Sequence, residues 1–243
     1  LFPYTTLFRS DCGEFQIASS SPELFLRLSG PHIVTRPIKG TRPRSADPTR
    51  DAQLTYELQT SAKEMAELVM ITDLLRNDLG RVCEYGSVQV PELVRLERYP
   101  QVQHLVSTVE GRLRADVTHF AAFAACFPGG SITGAPKVAA MQVIEELEPQ
   151  RRSVYCGCIG YVGFDGDMDL NIAIRTLVQR GEDAHGGIHA GHQIRDRDPH
   201  ALGPAAGAIF AFAGHAHDAA HALHQIIVAG AVAVGAGLAE PGD

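Results

Sequence analysis

Apolar residues recur with two different periods along this chain, and the changes of period divide it into strands and helices. Phe15, Ile17 and Ala18 precede a serine-rich turn, after which Leu24, Leu26 and Leu28 alternate as in a half-buried strand. Residues 14–21, 24–28 and 31–38 are therefore predicted to be extended. Ser45-Ala46-Asp47-Pro48 opens a helix, with Asp47 as N-cap and Pro48 in the first turn. Helical periodicity covers residues 48–82 with a break near Thr60-Ser61, and Met65, Leu68, Val69, Thr72, Leu75, Leu79 and Val82 form its apolar stripe. Strands are predicted over residues 87–90, 93–98 and 102–113, then a helix over 118–126, a glycine-rich loop and a helix ending near Leu147. A hairpin of residues 154–164 with 168–178 turns around Asp165-Gly166-Asp167. Strands arrive in hairpin-like pairs without regular βαβ alternation, so periodicity gives a mixed α/β, antiparallel-rich fold.

At 243 residues and 45% apolar the chain can bury a sizeable core. Its formal charge of −7, with only three lysines (Lys39, Lys63, Lys137) and no basic block, argues against a nucleic-acid partner. Five cysteines without a CxxC pattern fit a reducing cytoplasm, and Cys156-Gly157-Cys158 reads as strand filler. No apolar run is long enough to span a bilayer, and the start lacks a basic-then-apolar signal, so a cytoplasmic location is expected.

Both ends depart from this pattern. Leu1-Phe2-Pro3-Tyr4-Thr5-Thr6-Leu7-Phe8-Arg9-Ser10 resembles the translation of a sequencing-adapter oligonucleotide, so residues 1–10 are set apart as an artefact, and the natural chain is expected to extend upstream of Asp11. Beyond residue 181 the composition turns to Ala, Gly and His. Eight of the eleven histidines lie between His185 and His224, and no glutamate occurs between Glu182 and Glu240. A frameshifted reading frame over 182–243 accounts for that, leaving 11–181 as a partial catalytic domain. The alternative is a metal site, since His217, His221 and His224 share one face of a helix. Against it, only Asp218 offers a supporting carboxylate nearby.

Candidate chemistry concentrates in Thr35-Arg36-Pro37-Ile38-Lys39-Gly40-Thr41-Arg42-Pro43-Arg44. Gly40 permits a turn that presents Lys39, and the three surrounding arginines would destabilise its ammonium and favour a neutral nucleophile. A lone lysine in a basic loop also reads as an anion-holding residue. If residues 14–21 and 24–28 pair as neighbours, Glu23 faces the same pocket. Glu64 and Glu67 stand one helical turn apart, which suits either metal binding or a solvated acidic face near a helix start. Phe127-Pro128-Gly129-Gly130-Ser131-Ile132-Thr133-Gly134-Ala135-Pro136-Lys137 leads into a helix whose free N–H groups suit an anion, although it lacks Walker spacing. His104 and Arg175 sit in strands, where each also reads as an ordinary structural residue.

Three strings, Ser21-Pro22-Glu23-Leu24, Pro37-Ile38-Lys39-Gly40-Thr41-Arg42-Pro43 and Asp73-Leu74-Leu75-Arg76-Asn77-Asp78-Leu79-Gly80-Arg81-Val82, together resemble the chorismate-utilising enzymes over residues 12–176. That family includes anthranilate, aminodeoxychorismate, isochorismate and salicylate synthases. The resemblance implies an α/β fold of the α+β type, with layered, largely antiparallel sheets flanked by helices, here incomplete. Lysine at position 39 resembles aminodeoxychorismate synthase component I, whereas anthranilate synthases usually carry alanine there. The implied reaction replaces the C4 hydroxyl of chorismate with an amino group, on the way to p-aminobenzoate and folate, using ammonia from a separate glutamine amidotransferase subunit. Lys39 would form a covalent adduct and Glu23 would protonate the leaving hydroxyl. Gly40, Thr41, His104, Ser131, Tyr155 and Arg175 match substrate-contacting positions, and Arg175 suits a carboxylate in bidentate geometry. Glu67 matches a Mg²⁺ ligand, with Glu64 binding through water; Arg76-Asn77-Asp78 matches a signature of structural hydrogen bonding. The family's second metal-holding glutamate and a terminal lysine have no counterpart near Pro199 to Ala208, so this chain is expected to bind Mg²⁺ and chorismate poorly. Anthranilate synthase component I and a non-catalytic subunit-interaction module are the alternatives.

Overall fold

The computed structural model describes residues 8–149, 152–180, 183–186 and 208–212. Twelve strands are assigned among them: β1 (Phe8–Asp11), β2 (Gln16–Ser19), β3 (Leu24–Ser29), β4 (His32–Arg36), β5 (Ile38–Pro43), β6 (Gln89–Arg98), β7 (Val102–Arg112), β8 (Cys158–Val162), β9 (Met168–Ile172), β10 (Thr176–Arg180), β11 (Asp183–Gly186) and β12 (Ala208–Phe212). The helices are α1 (Pro48–Gln59), α2 (Ala62–Gly80), α3 (His119–Cys126) and α4 (Lys137–Leu147).

Every strand pairing is antiparallel, and the strands form two sheets. The larger has the order β12-β8-β9-β3-β4-β7-β5, with β6 also paired to β7; the smaller has the order β1-β2-β10-β11. β7 is the spine of the larger sheet. One of its edges takes β4 and then β5, which follow each other across a kink at Pro37, and the other edge takes β6. A proline suits that junction because it has no N–H to contribute to a ladder.

The two sheets are joined by a double crossing. β2 and β10 are neighbours in the smaller sheet, while β3 and β9 are neighbours in the larger. The connections at residues 20–23 and 173–175 therefore run side by side, held by Ser20 N–H to the Arg175 carbonyl at 3.1 Å and Ile172 N–H to the Glu23 carbonyl at 3.0 Å. The expected pairing of residues 14–21 with 24–28 is thus not what forms. Pro22 interrupts the run, and the two halves turn into different sheets.

Two further expectations change for local reasons. Residues 168–178 do not make one strand, because Arg175 adopts φ 51 and ends the ladder between β9 and β10. Residues 89–98 make one strand where two were expected over 87–90 and 93–98, with register shifts on either side of Glu92 that absorb the missing donor of Pro91.

The break near residue 60 falls where the sequence placed it. Ser61 caps α2 by accepting the Glu64 N–H, and Asp47 caps α1 by accepting the Thr49 N–H at 2.9 Å. Of the apolar stripe, Leu68, Thr72, Leu75, Leu79 and Val82 are buried, while Val69 is exposed and Ile71 takes the inward place. Ile71, Leu75 and Leu79 pack with Phe25, Leu26, Leu28 and Ile33 in the main core, and Leu68 packs with Leu58 and Leu105 in a second one.

Of the segment set apart at the start, Phe8, Arg9 and Ser10 lie in β1, paired to β2, because an edge accepts any extended backbone. Residues 1–7 and His217, His221 and His224 lie outside the described residues. From 182–243, β11 pairs with β10 and β12 with β8. All five cysteines are free thiols, and among the described residues no helix is long and apolar enough to cross a membrane.

Phe25 meets Phe123 and Phe127 edge to face, with ring centroids at 6.1 and 6.2 Å, directly beneath the glycine-rich loop. Phe25→Ala should lower the unfolding free energy by about 3–5 kcal/mol, read as a shift in the urea midpoint.

Candidate functional site

Glu23 stands where the chain crosses between the sheets. It is 6% exposed, and its backbone is fixed on both sides: its N–H donates to Ser21 Oγ at 3.3 Å and its carbonyl accepts from Ile172. Burial pushes its carboxyl above the ordinary range. The Ser131 side chain, the Lys39 charge, the Ile38 backbone and the Arg175 charge oppose that rise. Lys39 is half-buried in β5, and its Nζ donates to the Ser131 carbonyl at 3.2 Å. Ser131 thus holds the acid with its side chain and the amine with its backbone. Glu23, Lys39 and Ser131, separated widely in sequence, meet at one point.

The cation crowding expected around Lys39 does not occur. Arg36 pairs with Glu97, Arg42 with Glu64 at 2.9 Å, and Arg44 with Asp51 at 2.8 Å. The Arg44 hydrogen bonds draw the Asp51 carboxyl down to about 2. Each guanidinium is met by a carboxylate, so the arginines brace β5 against its surroundings rather than charge the lysine's pocket.

Gly40 has φ +77 and occupies a bulge, with register shifting between the Lys39–Leu105 and Thr41–His104 pairs. A Cβ there would approach Glu64 Oε2 to 2.7 Å and Leu58 Cδ1 to 2.8 Å, so both conformation and space require glycine. Beyond the bulge, Thr41 Oγ1 lies 2.8 Å from His104 Nδ1. His104 is 2% exposed, with Tyr99 tilted against it at 5.8 Å. Burial first, and then the Arg175 charge, lowers the imidazole to about 4, with Glu97 pulling the other way. His104 is therefore neutral at neutral pH. Arg175 itself is exposed, in the left-handed region, and its charge acts on both Glu23 and His104. A strained bend is a costly place for a non-glycine residue, and strain of that kind gathers at binding sites.

Glu64 Oε1 takes the Arg42 guanidinium, while its buried Oε2 has no partner among the described residues. Glu67, one turn along α2, is half-buried with Lys63 at 3.9 Å. Two carboxylates a turn apart, one with a partnerless oxygen, fit a hard dication that completes its shell with water and substrate oxygens. Among the described residues no three His, Cys, Asp or Glu side chains gather into a metal cluster.

The glycine-rich loop is packed tightly from below. A Cβ on Gly129 would meet Ile172 Cδ1 at 2.4 Å, and one on Gly130 would meet Leu74 Cδ2 at 2.7 Å. Arg152 donates to the Ile132 carbonyl at 2.8 Å and ties the 152–157 turn to the loop. Tyr155 lies half-buried in that turn, and burial raises its phenol. The charged neighbours of Tyr155 are Arg152 and Glu148, which set it near the end of α4. Reading along the chain missed Arg42 as the partner of Glu64 and the backbone of Ser131 as the acceptor for Lys39. Arg42 could have been found from its place inside the motif; a backbone acceptor leaves no sequence signal.

Residues 2–194 match the chorismate binding enzyme family, a wider span than the 12–176 carried by the motifs. Aminodeoxychorismate synthase component 1 of Klebsiella aerogenes is 55% identical over 175 residues, covering 72% of this chain and 38% of that protein. Anthranilate synthase component 1 1 of Haloarcula marismortui is 49% identical over 197 residues, covering 81% of this chain and 40% of the relative. The crystal structure of anthranilate synthase component I from Streptococcus pneumoniae TIGR4 superposes with a TM-score of 0.67 at 41% identity, over 75% of this chain and 40% of that one. The chain thus spans about 40% of the length of the relatives it matches. With the family match covering most of its length and a solved member superposing over 75% of it, the chain belongs to the chorismate binding enzyme family.

Proposed function

We propose that this chain carries the acid and amine of an aminodeoxychorismate synthase component 1, which replaces the C4 hydroxyl of chorismate with an amino group. The observation that supports this most is a lysine at position 39 sharing Ser131 with a buried acid. A similarity of 55% to an enzyme of that name points the same way.

The chemistry follows from the pair. Passing one proton from the Lys39 ammonium to the Glu23 carboxylate produces the amine nucleophile and the neutral acid together, and burial favours the neutral form of Glu23. Lys39 Nζ then bonds to ring C2, both ring double bonds shift toward C4, and the C4–O bond breaks as Glu23 delivers its proton, so that water leaves. Ammonia bonds to C4, the double bonds shift back, the C2–N bond to Lys39 breaks, and Glu23 recovers a proton from the incoming nitrogen. Chorismate and ammonia become 4-amino-4-deoxychorismate and water. Neutral His104, steadied by Thr41, offers a hydrogen bond without adding charge, and Arg175 offers two parallel donors to a carboxylate. Mg²⁺, when bound, would neutralise a ring carboxylate; Glu64 and Glu67 would hold it.

Ammonia would come from a glutamine amidotransferase partner, as the words "component 1" in the relative's name suggest. Five free thiols suit a reducing compartment, and we place the protein in the cytoplasm. Anthranilate synthase is the second reading, favoured by the larger share of this chain that such relatives cover.

Three measurements bear on this. In a version of the chain extended to the length of its relatives, chorismate with ammonium and Mg²⁺ should yield aminodeoxychorismate. Lys39→Ala should abolish the product and Glu23→Gln should slow it about 10²–10⁴-fold; anthranilate with pyruvate, surviving Lys39→Ala, would instead establish the second reading. The chain as given should turn over far more slowly, since among the described residues only Glu64 and Glu67 are at hand for the metal. The third measurement is stability against pH. The folded state keeps His104 unprotonated down to about 4, whereas the unfolded chain takes up that proton near about 6.5. Stability from this group is complete above about pH 6.5 and falls by up to about 3 kcal/mol as pH drops toward 4, and urea titrations of His104→Gln should lack that slope.

A further inference from the structure

Both ends of the loop that carries Ser131 converge on a single ammonium. Lys137, the first residue of α4, donates from Nζ to Asp78 Oδ2 at 2.5 Å and to the carbonyl of Cys126, the last residue of α3, at 2.8 Å. Cys126 and Lys137 are the residues on either side of the 127–136 loop, so one side chain clasps it shut. The clasp is dry, with the Lys137 and Asp78 side chains 11% and 2% exposed. Asp78 comes from the last turns of α2, and Leu74 of the same helix packs beneath Gly130. Burial raises the Asp78 carboxyl, and the Lys137 charge is the largest influence opposing it.

An ion pair this far from water is a poor device for stability alone, because desolvation cancels much of its attraction. What it supplies is geometry. It fixes the loop at its two ends and to α2, and the loop in turn presents Ser131 to Glu23 with its side chain and to Lys39 with its carbonyl. We propose that Lys137, anchored on Asp78, is a positioning residue that sets where Ser131 stands and thereby how the Glu23 carboxyl and the Lys39 amine face each other. Its meaning for catalysis rests on the function proposed above; the mechanical claim does not.

The test uses the chain as given, without chorismate. The Glu23 carboxyl is followed by ¹³C NMR through a pH titration, and the loop amides by hydrogen exchange. Ser131→Ala should move the Glu23 midpoint upward, because it removes a hydrogen bond that favours the carboxylate. Lys137→Met should move it the same way and speed exchange of the 129–133 amides by about tenfold or more, with those of β7 unchanged. Ser131→Ala combined with Lys137→Met should add no further shift. Asp78→Ala with Lys137→Met removes both charges together, leaves neither buried alone, and should reproduce the shift even if the single variant fails to fold. Arg27→Met, which breaks the exposed pair with Asp169, should leave Glu23 where it was. A Glu23 midpoint unmoved in the doubly neutral variant, or shifts of Ser131→Ala and Lys137→Met that simply add, would overturn the proposal. An anthranilate product from the extended protein would sink the functional reading and leave this result untouched.

Discussion

A carboxyl group buried where two sheets meet has lost its water, and the rest of the site follows from how that loss is offset. Glu23 is shielded by β3 and β9 on one side and by the glycine-rich loop on the other, so its charge is tolerated only through Ser131, Lys39, the Ile38 backbone and Arg175. They come from three stretches of chain, and each stretch is shaped by a backbone irregularity: the Pro37 kink and Gly40 bulge around Ile38 and Lys39, the clasped loop, and the left-handed bend at Arg175. Regular sheet provides the rigidity; its interruptions provide the aim.

Much of this was legible in the sequence. The helix starts at Asp47 and Ser61, the hairpin at Asp165-Gly166-Asp167 and the alternation from Leu24 to Leu28 depend on neighbours within a few residues, where local rules apply. The motifs around Glu23 and Lys39 likewise gave the family and named two side chains that the fold brings together at Ser131. What stayed hidden depends on partners far along the chain. Arginines 36, 42 and 44 read as a cluster of positive charge because their carboxylates, from Asp51 to Glu97, are not adjacent to them. Nothing in the string at 168–178 marks Arg175 as the point where one sheet hands over to the other, since positive φ at arginine has no compositional sign.

Asp78 and Lys137 illustrate the same limit from the other direction. The Arg76-Asn77-Asp78 string matched a signature of structural hydrogen bonding without showing which residue turns inward, and Asp78 is among the most buried charged groups described. Its partner is one of only three lysines in the chain, and scarcity was the single clue available. Burial of a charge is a tertiary fact, and only the fold supplies it.

The paired crossings also dictate a timetable. Glu23 and Lys39 stand sixteen residues apart, but the strand that closes over the Glu23 carbonyl, β9, and the guanidinium at Arg175 are made more than a hundred residues later. On a ribosome, the early half therefore emerges with an acid whose final shelter has not been synthesised, and β3 waits with one edge open until residues 168–172 arrive. Nascent chains of this architecture carry β3, paired to β4 on one side only, until β9 is synthesised, which makes the open edge a natural target for chaperones that bind extended segments.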